Sequence, residues 1–173
     1  MSKSDLHNKL LEKLVTKMYK CSLPTTIQGI ALLFARYMTK SQEEMIRFLN
    51  HVVVANTKNG LKVVMDRWLL HQPRFIGKLT KNATYLALMR MFASKDKVLN
   101  ELLVLGYDPS HTKDSPEVYA PLKILSTLLR CYDNEKRSEG KDMRVDPRLT
   151  RIGRRYGRQV PPADGRRGKV RNV

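Results

Sequence analysis

The chain has 173 residues, room for one domain and a tail, and 42% of them are hydrophobic, enough for a core. Lys and Arg outnumber Asp and Glu by 33 to 16, a formal charge of +17 that favours acidic partners, whether nucleic acid, protein or membrane surface. Two cysteines, Cys21 and Cys131, are too few for a disulfide framework and suit a reducing compartment; the polar-interrupted start has no signal-peptide pattern, and no apolar run reaches the about 20 residues that span a bilayer.

Leu6, Leu10, Leu11, Leu14, Val15 and Met18 recur at three- and four-residue steps with lysines opposite, which predicts a first helix capped by Ser4. Ser22-Leu23-Pro24 breaks it, and Pro24 suits the first turn of a second helix, where its missing N–H costs little. Ile27, Ile30, Ala31, Phe34, Ala35 and Met38 form that helix's apolar stripe. Ser41-Gln42-Glu43-Glu44 has the spacing of a capping box, and Met45, Ile46, Leu49, Val52 and Val53 follow as a third helix.

Residues 56–60 form a turn-rich cluster, after which Leu61, Val64, Met65, Trp68 and Leu69 predict a fourth helix ending before Pro73. Phe75, Leu79, Ala83, Leu86, Ala87 and Met91 predict a fifth. Ser94 is the expected cap of a short sixth containing Val98, Leu99, Leu102 and Leu103. A loop spans 106–116, and a last helix runs from Glu117 to about Tyr132 with Val118, Leu122, Leu125, Leu128 and Leu129 on one side and Pro121 in its first turns. No segment reads as a convincing strand.

The expected architecture is all-α, with a helical body over 1–133 and a basic tail over 134–173. Consecutive antiparallel helix pairs of this length suit an α-solenoid, and a compact bundle is the plainer alternative. The tail holds 13 Lys/Arg and 5 Asp/Glu, a net +8 that leaves +9 on the body. Its scattered apolar residues cannot offset the entropy of ordering, so it is expected to be disordered.

No catalytic, metal-binding or cofactor-binding residue is expected, and the chain does not read as an enzyme. Gly77-Lys78-Leu79-Thr80 fails as a P-loop because Gln72 stands where the motif needs glycine and Leu79 follows the lysine. His7, His51, His71 and His111 are dispersed and lack a second ligand at metal spacing. Trp68 reads as a core anchor, and the methionines on the apolar stripes as core filling. In the tail, Arg154, Arg155, Arg158, Arg166 and Arg167 are the candidate contacts to an acidic partner or nucleic acid, with Tyr156 as one stacking group.

Several short stretches occur in a meaningful order. These are Ile27-Gln28-Gly29-Ile30-Ala31-Leu32-Leu33-Phe34-Ala35-Arg36, then Phe48-Leu49, then Val64-Met65-Asp66-Arg67-Trp68, then Tyr85-Leu86-Ala87-Leu88. Past a loop containing Thr112-Lys113-Asp114-Ser115-Pro116 comes Ala120-Pro121-Leu122-Lys123-Ile124-Leu125. With Phe34, Arg36, Trp68 and Pro121 as its marker residues, the region from about 22 to 132 resembles the C-terminal region of the importin-β family of nuclear transport receptors.

The resemblance implies a superhelix of HEAT repeats, a protein-binding scaffold without cofactor or membrane span, and basic cargo such as histones and ribosomal proteins. It implies movement between cytoplasm and nucleus. The family binds the Ran GTPase through N-terminal repeats that have no counterpart here, so the resemblance makes the chain a C-terminal fragment. The arginine-rich tail departs from the family, which tends to end in acidic residues that suit basic cargo. The alternative is a basic helical protein that binds nucleic acid through its tail, for example on the ribosome.

Overall fold

The structure, a computed structural model, describes residues 3–56, 58–94, 96–106 and 116–142. The chain divides into two units, Met1–Glu135 and Lys136–Val173. Of the second unit only 136–142 is described, as helix.

The first unit is mostly helical. Helix α1 covers Lys3–Lys20, α2 Pro24–Lys40 and α3 Gln42–His51. A hairpin of β1 (Val53–Val54) and β2 (Lys58–Asn59) leads into α4 (Gly60–His71) and a 3-10 turn over Gln72–Arg74. Helices α5 (Lys78–Ala93) and α6 (Lys97–Glu101) follow. Strands β3 (Leu103–Leu105) and β4 (Glu117–Tyr119) pair antiparallel, and α7 (Ala120–Asp142) begins directly after them.

The expectation of no strand is therefore corrected by two short antiparallel ladders. Val53 pairs with Asn59 and Val54 with Lys58, around Ala55 and Asn56 with φ of 51° and 61°. Those left-handed residues reverse the chain tightly enough for Val52 and Val53 to leave the helix in which their spacing had placed them. At the second ladder, Leu103 and Glu117 drop out of the helices predicted for α6 and α7 because their backbones pair with each other's strands. Residues 107–115, including most of the predicted loop, lie outside the described residues.

Other boundaries shift for local reasons. Ser4 lies within α1 rather than capping it. Ser41 stands at the start of α3 but makes no side-chain cap, so the capping box does not form. Its N–H closes α2 onto Tyr37 O at 2.8 Å while its carbonyl accepts from Met45 N at 3.1 Å. One residue thus serves both helices, and its φ of −145° and ψ of 69° follow from that junction. Ser94 ends α5, and Asp96 caps α6 by accepting from Leu99 N at 3.1 Å. Helix α7 runs through Asp142, beyond the predicted end at Tyr132, so the expectation of disorder over 134–173 is corrected for 134–142, which continue the helix; 143–173 lie outside the described residues.

The core is one cluster that draws on every helix of this unit. All six stripe residues of α2 are buried, as are Leu11, Val15 and Met18 of α1 and Met45, Ile46 and Leu49 of α3. The most extensive packing is that of α2 on α5, followed by α1 and α2 on α4, and α3 packs on both α2 and α4. Gly60 starts α4 against the end of α3, where an added Cβ would stand 2.9 Å from Leu49 O; this close approach needs glycine. Helix α7 meets α4 through a small cavity lined by Leu69, Leu70 and Pro73 on one side and Lys123, Thr127 and Arg130 on the other.

Candidate interaction surfaces

The marker residues divide between core and surface. Phe34 and Trp68 are fully buried, Arg36 is exposed, and Pro121 is the second residue of α7, where it gives up no helical hydrogen bond. Each residue of Val64-Met65-Asp66-Arg67-Trp68 has a definable task. Val64 and Met65 fill the core. Arg67 Nη2 donates to Tyr19 O at 2.9 Å, satisfying a carbonyl in the last turn of α1. Asp66 Oδ1 accepts from Leu105 N at 2.8 Å and so fixes β3 to α4.

Trp68 begins a buried polar relay. Its Nε1–H donates to Gln72 Oε1 at 2.6 Å, Gln72 Nε2 donates to Thr84 Oγ1 at 2.9 Å, and the Thr84 hydroxyl reaches the carbonyls of Thr80 and Lys81. Every buried polar atom of this relay has a partner, so the cost of desolvating them is offset where the relay joins α4, the 3-10 turn and α5. Neither Gln72 nor Thr84 was expected in the core, because polar residues beside an apolar stripe read as outer positions.

A second polar cluster lies under the β3–β4 ladder. Lys62 Nζ donates to Leu103 O at 2.6 Å and to Glu117 Oε1 at 2.8 Å. Burial raises the carboxyl pKa of Asp66, opposed by the Leu105 N–H and by Lys62. Burial also lowers the ammonium pKa of Lys123, on the inner face of α7, with Arg130 adding to the effect and Asp66 opposing it. These groups hold the hairpin at the head of α7.

A cavity of about 610 Å³ opens between α1, the end of α2 and α3. His7, Tyr37, Lys40, Glu44, Phe48 and His51 are among its lining residues. His7 and Tyr37 meet edge to face with ring centroids 5.4 Å apart, and His51 Nδ1 lies 2.7 Å from Arg47 O within its own helix. The lining is mixed aromatic and basic, which suits an apolar or acidic side chain of a partner.

His71 is buried, and its Nδ1 is without a hydrogen-bond partner. Burial holds its pKa down, with Arg67 and Arg74 adding to the effect. Among the described residues no group of three or more His, Cys, Asp or Glu could hold a metal ion, and no helix is long and apolar enough to cross a membrane. His111 and the five candidate arginines Arg154, Arg155, Arg158, Arg166 and Arg167 lie outside the described residues.

The apolar surface is uneven. Helix α5 buries Thr84, Ala87, Leu88 and Met91 against the core, while Leu79, Leu86 and Met89 face solvent. The predicted stripe of α5 is thus corrected: Leu79 is 86% exposed and Leu86 44%. In α7 the inner face is Ala120, Lys123, Ile124, Thr127 and Cys131, while the predicted core residues Leu122, Leu125 and Leu129 point outward with Tyr132. Leu6 and Leu10 of α1 are also exposed. The chain matches no protein-family model, and no curated protein is significantly similar to it.

Proposed function

We propose that this chain is the C-terminal region of an importin-9-like nuclear import receptor of the importin-β family, a helical scaffold that binds basic proteins such as histones and ribosomal proteins for transport from cytoplasm to nucleus. The observation that carries the reading is the packing of helices on their chain neighbours and next neighbours, α2 on α3, α3 on α4 and α2 on α4, with apolar side chains still exposed on α1 and on α7. Stacked repeats that bury their faces only against neighbours have this property. The ordered stretches of the resemblance fall in chain order on α2, α3, α4, α5 and α7, which also favours it.

Charge sets a condition on the reading. Residues 1–133 carry +9, so this region repels a basic cargo at long range, and the attraction must come from acidic repeats elsewhere in a longer receptor. The exposed apolar faces then supply short-range contact. The test is a binding titration of labelled histones and ribosomal proteins with this chain, and with a longer receptor containing it, each with and without Ran-GTP. The longer receptor should bind cargo and release it with Ran-GTP, while the chain alone should bind weakly and ignore Ran-GTP. No cargo binding by the longer receptor defeats the proposal.

The net +8 of residues 134–173 favours a second reading, a nucleic-acid-binding protein. On that reading affinity for RNA or DNA falls steeply with salt, by about a factor of a thousand or more between 50 and 200 mM for six or more phosphate contacts, and removal of 143–173 abolishes it.

A further inference from the structure

Helices α5 and α7 each leave an apolar stripe in solvent, and the two stripes face the same way. With about 100° per residue, Leu79, Leu86 and Met89 fall within roughly 80° of the circumference of α5, and Leu122, Leu125, Leu129 and Tyr132 within roughly 80° of α7. The hairpin beside Lys62 sets the first residues of α7 near the start of α4, and Thr127 and Arg130 reach Leu69, Leu70 and Pro73 near its end. So α7 runs in the direction of α4.

Helix α5 returns the other way. Lys81 and Tyr85, in its first half, meet Glu135, in the later part of α7: Lys81 Nζ at 3.5 Å and the Tyr85 hydroxyl at 3.2 Å from the carboxylate. In both helices this seam lies on the same rotational side of the exposed stripe. For antiparallel neighbours, that directs both stripes to one side of the sheet of helices. The result is a two-helix apolar surface with a polar seam along its middle.

The charges around it are mostly of one sign. Helix α5 carries Lys78, Lys81 and Arg90 and no acidic residue, and α7 adds Arg130 against Asp133 and the bridged Glu135. We propose that this surface binds an amphipathic helix of a partner protein, with leucine-type residues on one face and acidic residues flanking them. Such a helix would lay its apolar face along the two stripes and place its carboxylates near Lys78 and Arg90. The same charge disfavours two other occupants: a second copy, which brings a basic rim, and the chain's own residues 143–173, which carry ten Lys/Arg against two Asp. This inference does not depend on the import reading.

The test uses the full chain and a labelled synthetic peptide of about 18 residues, five helical turns, with leucines at three- and four-residue steps and glutamates elsewhere. Two control peptides carry the same composition scrambled, and the same leucines with lysines. At about 0.15 M salt the patterned acidic peptide should bind at least about tenfold more tightly than either control. Leu86→Glu with Met89→Glu, and separately Leu125→Glu with Leu129→Glu, should each weaken binding about tenfold, with circular dichroism and melting temperature unchanged. Lys78→Glu should weaken it several-fold.

Equal binding of the scrambled peptide, or binding insensitive to both double variants, overturns the proposal, since the basic tail alone would then explain capture. So does competition by a synthetic peptide of residues 143–173 at matching affinity. Self-association that Leu86→Glu abolishes would assign the surface to a second copy and likewise overturn it.

Discussion

Helices α2 and α5 pack on each other, have similar lengths and contain similar numbers of apolar residues, yet they play different parts. In α2 six apolar residues form one stripe and all six are buried, while Leu32, Leu33 and Tyr37 beside it are only partly covered. In α5 they are spread around the circumference, so one set meets α2 while Leu79, Leu86 and Met89 have no cover. A helix that is apolar on all sides is built to lie between two neighbours. The contrast teaches that α2 completes its packing inside this unit, whereas α5 retains a face suited to a further helix.

The largest expected effect is on the shared interior. Phe34→Ala should destabilise the fold by about 3–5 kcal/mol, because α2 has no slack to fill the cavity. A loss under about 1 kcal/mol in denaturant titration would mean that α2 is as loosely held as the outer side of α5.

Next comes the buried side of α5. Gln72→Ala removes the acceptor for Trp68 Nε1–H and the donor to Thr84, and should cost about 1–3 kcal/mol by leaving a buried indole N–H unpaired. Trp68→Phe in the same background should cost less than it does alone, since the orphaned donor disappears. Simple additivity of the two would show that the relay is not coupled.

A smaller effect depends on pH. His71 has a lowered folded-state pKa, so the unfolded chain binds its proton more readily; stability is present above about 6.5 and is lost as pH falls toward the folded value. His71→Leu should therefore be near neutral at pH 8 and gain on the parent protein as pH falls from 7 to 5. Parallel melting-temperature curves for the two proteins over that range would contradict this role.

The smallest effect is expected on the outer side of α5. Leu86→Ser and Leu79→Ser should each change stability by no more than about 0.5 kcal/mol. A loss above about 2 kcal/mol would show that this face is covered, and would remove the contrast with α2.

Much of the helical plan was legible without coordinates. Pro24 opens α2, and Ile27, Ile30, Ala31, Phe34, Ala35 and Met38 make its broadest continuous apolar stripe, which is the face that is buried. The body of α4, with Trp68 at its centre, was equally clear. In α5 the stripe of Leu79 and Leu86 and the stripe of Thr84, Leu88 and Met91 both satisfy helical spacing, and Thr84 counted against the true one. Only its bonds to Gln72 and to the carbonyls of its own helix make that threonine an inside residue. The same ambiguity reversed α7, where Lys123 and Thr127 lie inward and Leu122 and Leu129 outward.

The amino-acid sequence by itself determined that this is a basic, mainly helical chain, and about where its helices lie, because spacing, Pro24 and the turn residues act locally. It also carried the ordered stretches on which the import proposal rests. Tertiary structure decided the two short ladders, since a strand of two or three residues exists only through a partner distant in sequence. It decided, too, which side of α5 and α7 is inside. A helix with two apolar faces takes its orientation from the neighbours it meets, and local pattern contains no information about which neighbour arrives.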